Sequence, residues 1–143
     1  MKHILLVEDD RFLIDIYSTK LKQSGFSVEV VTTGEEVLKR IAEKKPDLLV
    51  LDIVLPQLNG WQLLKKIKAN PKLKDLKVVI LSNLGQKEEV EKGMSLGASK
   101  YLIKAHYTPS EVVGEIKKLL SEGGKEIYLF ELQAKQSKKL KKS

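Results

Sequence analysis

Glu8, Asp9, Asp52, Ser82 and Lys104 each stand at or just past the end of a short apolar run, and together they could serve phosphoryl transfer. The runs are Ile4-Leu5-Leu6-Val7, Leu48-Leu49-Val50-Leu51, Val78-Val79-Ile80-Leu81 and Tyr101-Leu102-Ile103. If these are neighbouring parallel strands, three carboxylates, a hydroxyl and an ammonium meet at one edge of a sheet. Carboxylates converging from two strands repel one another, and a divalent cation removes that penalty. Magnesium suits such a site because it takes one or two carboxylates and keeps water and phosphate oxygens as its other ligands. A carboxylate can also attack phosphorus to give an acyl phosphate, and Asp52, after the central run, is the best placed to do so. Lys104 would neutralise charge on the transferring group and Ser82 would hydrogen-bond one of its oxygens, which is most of what the reaction asks of a protein. Any one of these acids could be a solvated helix cap, as Asp10 reads. Five polar residues in this order favour chemistry.

The segments between the runs have the periodicity needed to position them. Residues 10–24 place Leu13, Ile16, Tyr17 and Leu21 on one helical face, closed by Gly25. A second strand follows over 26–31. Thr33 and Glu36 have the spacing of a capping box before a helix carrying Val37, Leu38 and Ile41. Residues 47–51 are apolar at nearly every position, as a central parallel strand should be. A helix with Trp61, Leu64 and Ile67 ends near Asn70-Pro71, and a strand over 77–81 precedes a weaker helix that contains Gly93 and stops at Gly97. After a short strand over 100–103, Thr108-Pro109-Ser110-Glu111 combines a cap, a first-turn proline and a capping-box glutamate. The expected fold is α/β: a five-stranded parallel sheet, order 2-1-3-4-5, doubly wound with five helices in the flavodoxin-like manner. Ligands in such folds sit beyond the carboxyl ends of the strands. The five polar residues fall there.

At 143 residues the chain reads as one domain over 1–122, followed by a basic tail over 123–143. The tail holds six lysines and two glutamates, so it carries +4 of the net +7. Without cysteine, disulfides and thiolate metal sites are excluded. The first apolar run is too short for a signal peptide and nothing is long enough to span a bilayer, so a cytoplasmic protein is expected. His3 and His106 match no metal-ligand spacing.

Four motifs carry a resemblance to the receiver domain of two-component response regulators over about residues 2–121. They are Val7-Glu8-Asp9; the run from Leu51-Asp52 through Pro56 to Asn59-Gly60; Leu81-Ser82-Asn83; and Tyr101-Leu102-Ile103-Lys104. The resemblance implies that Asp52 is the phosphoacceptor, with Glu8 and Asp9 as the acidic pair that holds magnesium together with Asp52 and the Val54 backbone carbonyl. Ser82 and Lys104 would hold the phosphoryl group. Tyr101 would be the aromatic switch that turns inward when the hydroxyl of Ser82 moves. The phosphodonor would be a sensor histidine kinase or a histidine phosphotransfer protein, docking in part on the first-helix surface around Phe12 and Ile14. These two residues lie off the main apolar face, and partial burial is expected for both. Output would pass by contact with a downstream protein, with phosphorylation-dependent homodimerisation as an option, and neither a membrane nor nucleic acid is expected as a partner.

The chain departs from the family in three ways. Ala105 stands where the family has a proline with a cis bond after the lysine, so that peptide is either held cis at about 3 kcal/mol or is trans. Val54 and Leu84 are apolar at the two positions that tune phosphoryl lifetime in the family, which implies slow self-dephosphorylation. Only the tail follows, so a stand-alone receiver is expected. The alternatives are a degenerate receiver that binds partners without phosphorylation, and nucleic-acid binding through Lys135, Lys138, Lys139, Lys141 and Lys142. A phosphatase of the haloacid-dehalogenase type would need an acid two residues after the nucleophile, where Val54 stands, so the chain is not expected to be an enzyme in its own right.

Overall fold

The computed structural model describes residues 1–121; the expected basic tail lies outside them. The chain runs β1 (His3–Val7), α1 (Arg11–Gln23), β2 (Ser27–Val31), α2 (Gly34–Glu43), β3 (Leu48–Leu51), β4 (Val54–Leu55), β5 (Leu58–Asn59), α3 (Gly60–Ala69), β6 (Lys77–Ser82), α4 (Lys87–Ser95), β7 (Lys100–Ile103) and α5 (Pro109–Leu120). A single turn of 3₁₀ helix, Lys104–His106, links β7 to α5. The main sheet is parallel, in the order β2-β1-β3-β6-β7. Counting its strands alone, that is 2-1-3-4-5, as the alternation of periods implied.

Alternation along the strands separates two cores. Leu5, Val7, Leu49, Leu51, Val78 and Ile80 pack on one face with Val37, Ile41, Leu64 and Ile67 of α2 and α3. Ile4, Leu6, Val50, Val79 and Leu81 pack on the other with Tyr17, Leu21, Val112 and Ile116 of α1 and α5. Both faces are covered, which is why the central strands are apolar throughout.

Some local expectations are met and some are not. Asp10 caps α1, accepting from the amides of Phe12 at 2.9 Å and Leu13 at 3.2 Å. Thr108 and Glu111 form the capping box, with each side chain accepting the other's amide at 3.1 and 3.0 Å. At Thr33 no side-chain cap forms; Glu36 lies 4.0 Å from Arg40 one turn on, so its carboxylate serves that ion pair. Phe12 is 71% exposed, against the partial burial expected, while Ile14 is half-buried. Phe12 sits in the first turn of α1, off the face that buries Tyr17 and Leu21. The hairpin of β4 and β5 is an addition to the expected elements. It turns through Pro56 and Gln57, and Gln57 has φ of 59°, the left-handed conformation that the second central residue of such a turn requires.

Candidate functional site

Strand register brings the polar residues together. Val7 is level with Leu51, so Glu8 and Asp52 leave the sheet side by side. Ser82 is level with Ile103, so Lys104 emerges one residue beyond it. The ladder continues past the strand ends: the Glu8 amide donates to the Val31 carbonyl and the Asp52 amide to the Val7 carbonyl, both at 3.2 Å. These bonds fix the backbones from which the two acids project.

Lys104 lies between them. Its Nζ donates to Asp52 Oδ2 at 2.7 Å and stands 2.7 Å from Glu8 Oε2. The three side chains are 10% (Lys104), 8% (Asp52) and 2% (Glu8) exposed, so this is a buried charge cluster rather than a solvated surface pair. Each acid has a second engagement. Asp52 Oδ1 accepts the Val54 amide at 3.0 Å, and Glu8 Oε1 accepts the amides of Asp9 and Asp10 at 3.3 and 3.2 Å. Burial alone would lower the Lys104 pKa, but hydrogen bonds and attraction from Asp52 and Glu8 more than offset it and hold the ammonium above its ordinary range.

Asp9 is exposed, and among the described residues its carboxylate makes no hydrogen bond or ion pair. Glu8, Asp9 and Asp52 do not close around a common point, and no ready-made group of three metal-ligating side chains occurs among the described residues. The donors nevertheless suit a hard divalent ion. Three carboxylates and one ammonium leave a formal charge of −2, and the Asp9 oxygens are uncommitted.

Ser82 is fully buried at the end of β6, and its Oγ accepts the Leu84 amide at 3.3 Å. That leaves its O–H to donate. Tyr101 is half-buried, and its hydroxyl donates to the Leu84 carbonyl at 2.6 Å. Leu84 thus touches the Ser82 hydroxyl through its amide and the Tyr101 hydroxyl through its carbonyl. Burial pushes the Tyr101 phenol up to about 12, the charges of Glu89 and Asp52 add to this, and the Ser82 hydroxyl opposes it.

A folded-state pKa above the unfolded one stabilises fully below the unfolded value, here 10.0 for tyrosine, and that contribution is lost as pH rises through the folded value. Lys104 behaves likewise; Lys68, whose pKa burial lowers, opposes both. Wild type should therefore lose stability between about pH 10 and 12 more steeply than Tyr101→Phe. Urea midpoints across that window check this, and parallel slopes would contradict it.

Sequence reasoning missed three features. Lys104 bridges two acids, where the reading had it wait for a phosphoryl group. Gly93, read as a weakness in the fourth helix, is a clearance: a Cβ there would stand 2.7 Å from Ile80 Cδ1 and 2.8 Å from Tyr101 Cδ2. Trp61 is half-buried and packs against the core, and the Lys92 ammonium lies 4.8 Å from its ring centroid. The Lys104-Ala105 peptide is trans, since no described peptide bond is cis. His3 and His106 do not meet; His3 is buried beside Ser27 and Glu29, and His106 is exposed.

Comparison with known proteins bears on the family and the fold. The sequence profile of the response regulator receiver domain matches residues 4–117. The chain is 32% identical over 124 residues to the phosphate regulon transcriptional regulatory protein PhoB of Rhizobium meliloti (strain 1021), covering 87% of this chain and 54% of that protein. It is 36% identical over 121 residues to the alkaline phosphatase synthesis transcriptional regulatory protein PhoP of Bacillus subtilis (strain 168), covering 83% and 48%. The chain thus spans about half the length of these curated relatives. A putative response regulator from Chloroflexus aurantiacus J-10-fl superimposes with a TM-score of 0.77 at 30% identity, covering 85% of this chain and 98% of that one. The Mn(2+)-bound form of response regulator Rcp1 gives 0.75 at 27% identity, covering 82% and 93%.

Proposed function

The chain belongs to the response regulator receiver domain family, and on that premise we propose that it is switched by a phosphoryl group accepted on Asp52. The observation that carries this reading is the buried Glu8–Lys104–Asp52 cluster, with Ser82 ending the next strand. An Asp52 oxygen forms a bond to phosphorus while the bond from phosphorus to the donor's leaving atom breaks and the leaving atom keeps the electron pair. The product is an acyl phosphate. Each Asp52 oxygen accepts one hydrogen bond and so keeps a lone pair for attack. Lys104 then passes its hydrogen bond to a phosphoryl oxygen and remains protonated throughout. The Ser82 O–H donates to another oxygen, which pulls on Leu84 and, through its carbonyl, on Tyr101.

Asp9, Asp52 and the Val54 carbonyl would hold magnesium, with Glu8 behind them as a neighbouring charge. Bound there, the ion would withdraw charge from the phosphoryl oxygens. The phosphodonor is a histidine kinase or histidine phosphotransfer protein, and output is by protein contact, with a phosphorylation-dependent dimer as one form. Among the described residues no helix is long and apolar enough to cross a membrane.

Val54, 58% exposed beside the phosphoacceptor, and half-buried Leu84 offer no polar side chain to orient an attacking water. The phosphorylated protein should therefore decay slowly. Loading with acetyl phosphate and magnesium, removing the donor and following the intact mass tests both reaction and lifetime. Persistence for many minutes is expected; decay within seconds would contradict the role given to these two side chains.

A further inference from the structure

The folded domain carries an excess of cations at the end opposite Asp52. Residues 39–77 hold ten lysines and arginines against four acids, a net of +6 in a chain of +7. Much of that charge lies on the loops that lead into β3 and β6, where the strands begin. Lys44, Lys45, Lys72, Lys74 and Lys77 are all exposed. Lys45 Nζ donates to the Lys72 carbonyl at 3.1 Å, which sets the two loops against each other. The acids nearby are partly committed inward: Asp47 accepts the His3 amide at 2.7 Å, and Glu43 lies 4.0 Å from Arg40. Among the described residues Lys44, Lys72 and Lys74 have no carboxylate within ion-pair distance. Helix dipoles account for Lys66 and Lys68, in the last turn of α3, and for Lys44, which caps the end of α2, but not for Lys72 and Lys74. Helix α5 also ends here: Lys77 Nζ donates to the Leu119 carbonyl at 3.1 Å, and residues 123–143 of the sequence carry a further +4.

We propose that this basic pole binds the phosphate backbone of nucleic acid without sequence preference, independently of the phosphorylation site. Lysines supply point charges that suit phosphates. The loops present no aromatic ring to stack on bases, and none of the large exposed apolar side chains lies in them to enter a lipid surface. The expectation of no nucleic-acid partner weighed the tail alone; the folded pole adds to it.

Fluorescence anisotropy of a labelled DNA duplex, with the full chain titrated at several salt concentrations, tests the proposal. Wild type should bind with a Kd on the order of 10⁻⁵ M at low salt and weaken steeply as salt rises. The triple variant K44Q/K72Q/K74Q, whose side chains have no hydrogen-bond or ion-pair partner among the described residues, should bind at least about tenfold more weakly, with a salt slope lower by about 2 to 3. Its thermal melt, unchanged from wild type, would show that folding is intact. Unaltered binding by this variant, with loss only when Lys135, Lys138, Lys139, Lys141 and Lys142 become glutamine, would overturn the pole as the surface. Binding to anionic lipid vesicles but not to the duplex, or to neither, would overturn the partner.

Discussion

Lys104→Met is expected to cost about 3–5 kcal/mol of folding stability in chelator, because it strands two buried carboxylates side by side. Methionine keeps much of the length and removes only the charge and the donors. Glu8 would keep its two amide contacts and Asp52 its bond from Val54, but nothing would balance the two charges. The penalty should shrink in excess magnesium, which would supply the missing positive charge. Urea denaturation of wild type and variant, with chelator and with magnesium, measures all of this. Phosphorylation by acetyl phosphate should slow on the order of 100-fold, the typical effect of losing one preorganised donor to a developing charge. Equal stability of the two proteins in chelator would mean that the ammonium does not hold the acids.

Gly60→Ala is expected to lower stability by roughly 2 kcal/mol or more and to impair phosphorylation with it. Alanine would favour helix α3 by about 1 kcal/mol. Against that, a Cβ at Gly60 would stand 2.7 Å from the Ile53 Cα and 2.8 Å from its carbonyl oxygen. Those are backbone atoms of the residue after Asp52, and they cannot swing aside as a side chain can. The clash wins, and its relief moves Ile53 and Val54, breaking the amide bond to Asp52 Oδ1. Gly114 on α5 provides the contrast, since a Cβ there meets nothing within 4 Å. Gly114→Ala should gain up to about 1 kcal/mol and leave phosphorylation unchanged. Thermal melts and phosphorylation rates of the two variants separate them, and equal effects would contradict the steric account.

The sheet order and the edge at which the polar residues gather were legible because each strand is a short apolar run ending in a charged or polar residue. Parallel register then leaves little freedom: with Val7 level with Leu51, Glu8 and Asp52 must be neighbours. Other features depend on contacts between segments distant in sequence. A Thr-x-x-Glu spacing cannot say whether its glutamate will turn back to the cap, as Glu111 does, or on to an arginine one turn away, as Glu36 does. Gly93 looks like a helix weakness until the Tyr101 ring is seen to need its space. The order of polar residues also could not tell that Lys104 would sit between Glu8 and Asp52, because that depends on how far a long side chain reaches across three strands. The family's motif extends as far as Lys104, and the loop after it had to be read from the backbone: trans at Ala105, with one 3₁₀ turn leading toward the Thr108 cap.

Intact mass after incubation with acetyl phosphate and magnesium, comparing wild type with Asp52→Asn, tests the central claim most directly. One phosphate on wild type, absent from the variant and from a chelated control, is the predicted result. An unmodified wild-type protein that is folded and also fails to take up beryllofluoride would contradict it, and would leave a receiver fold that binds its partners without phosphorylation.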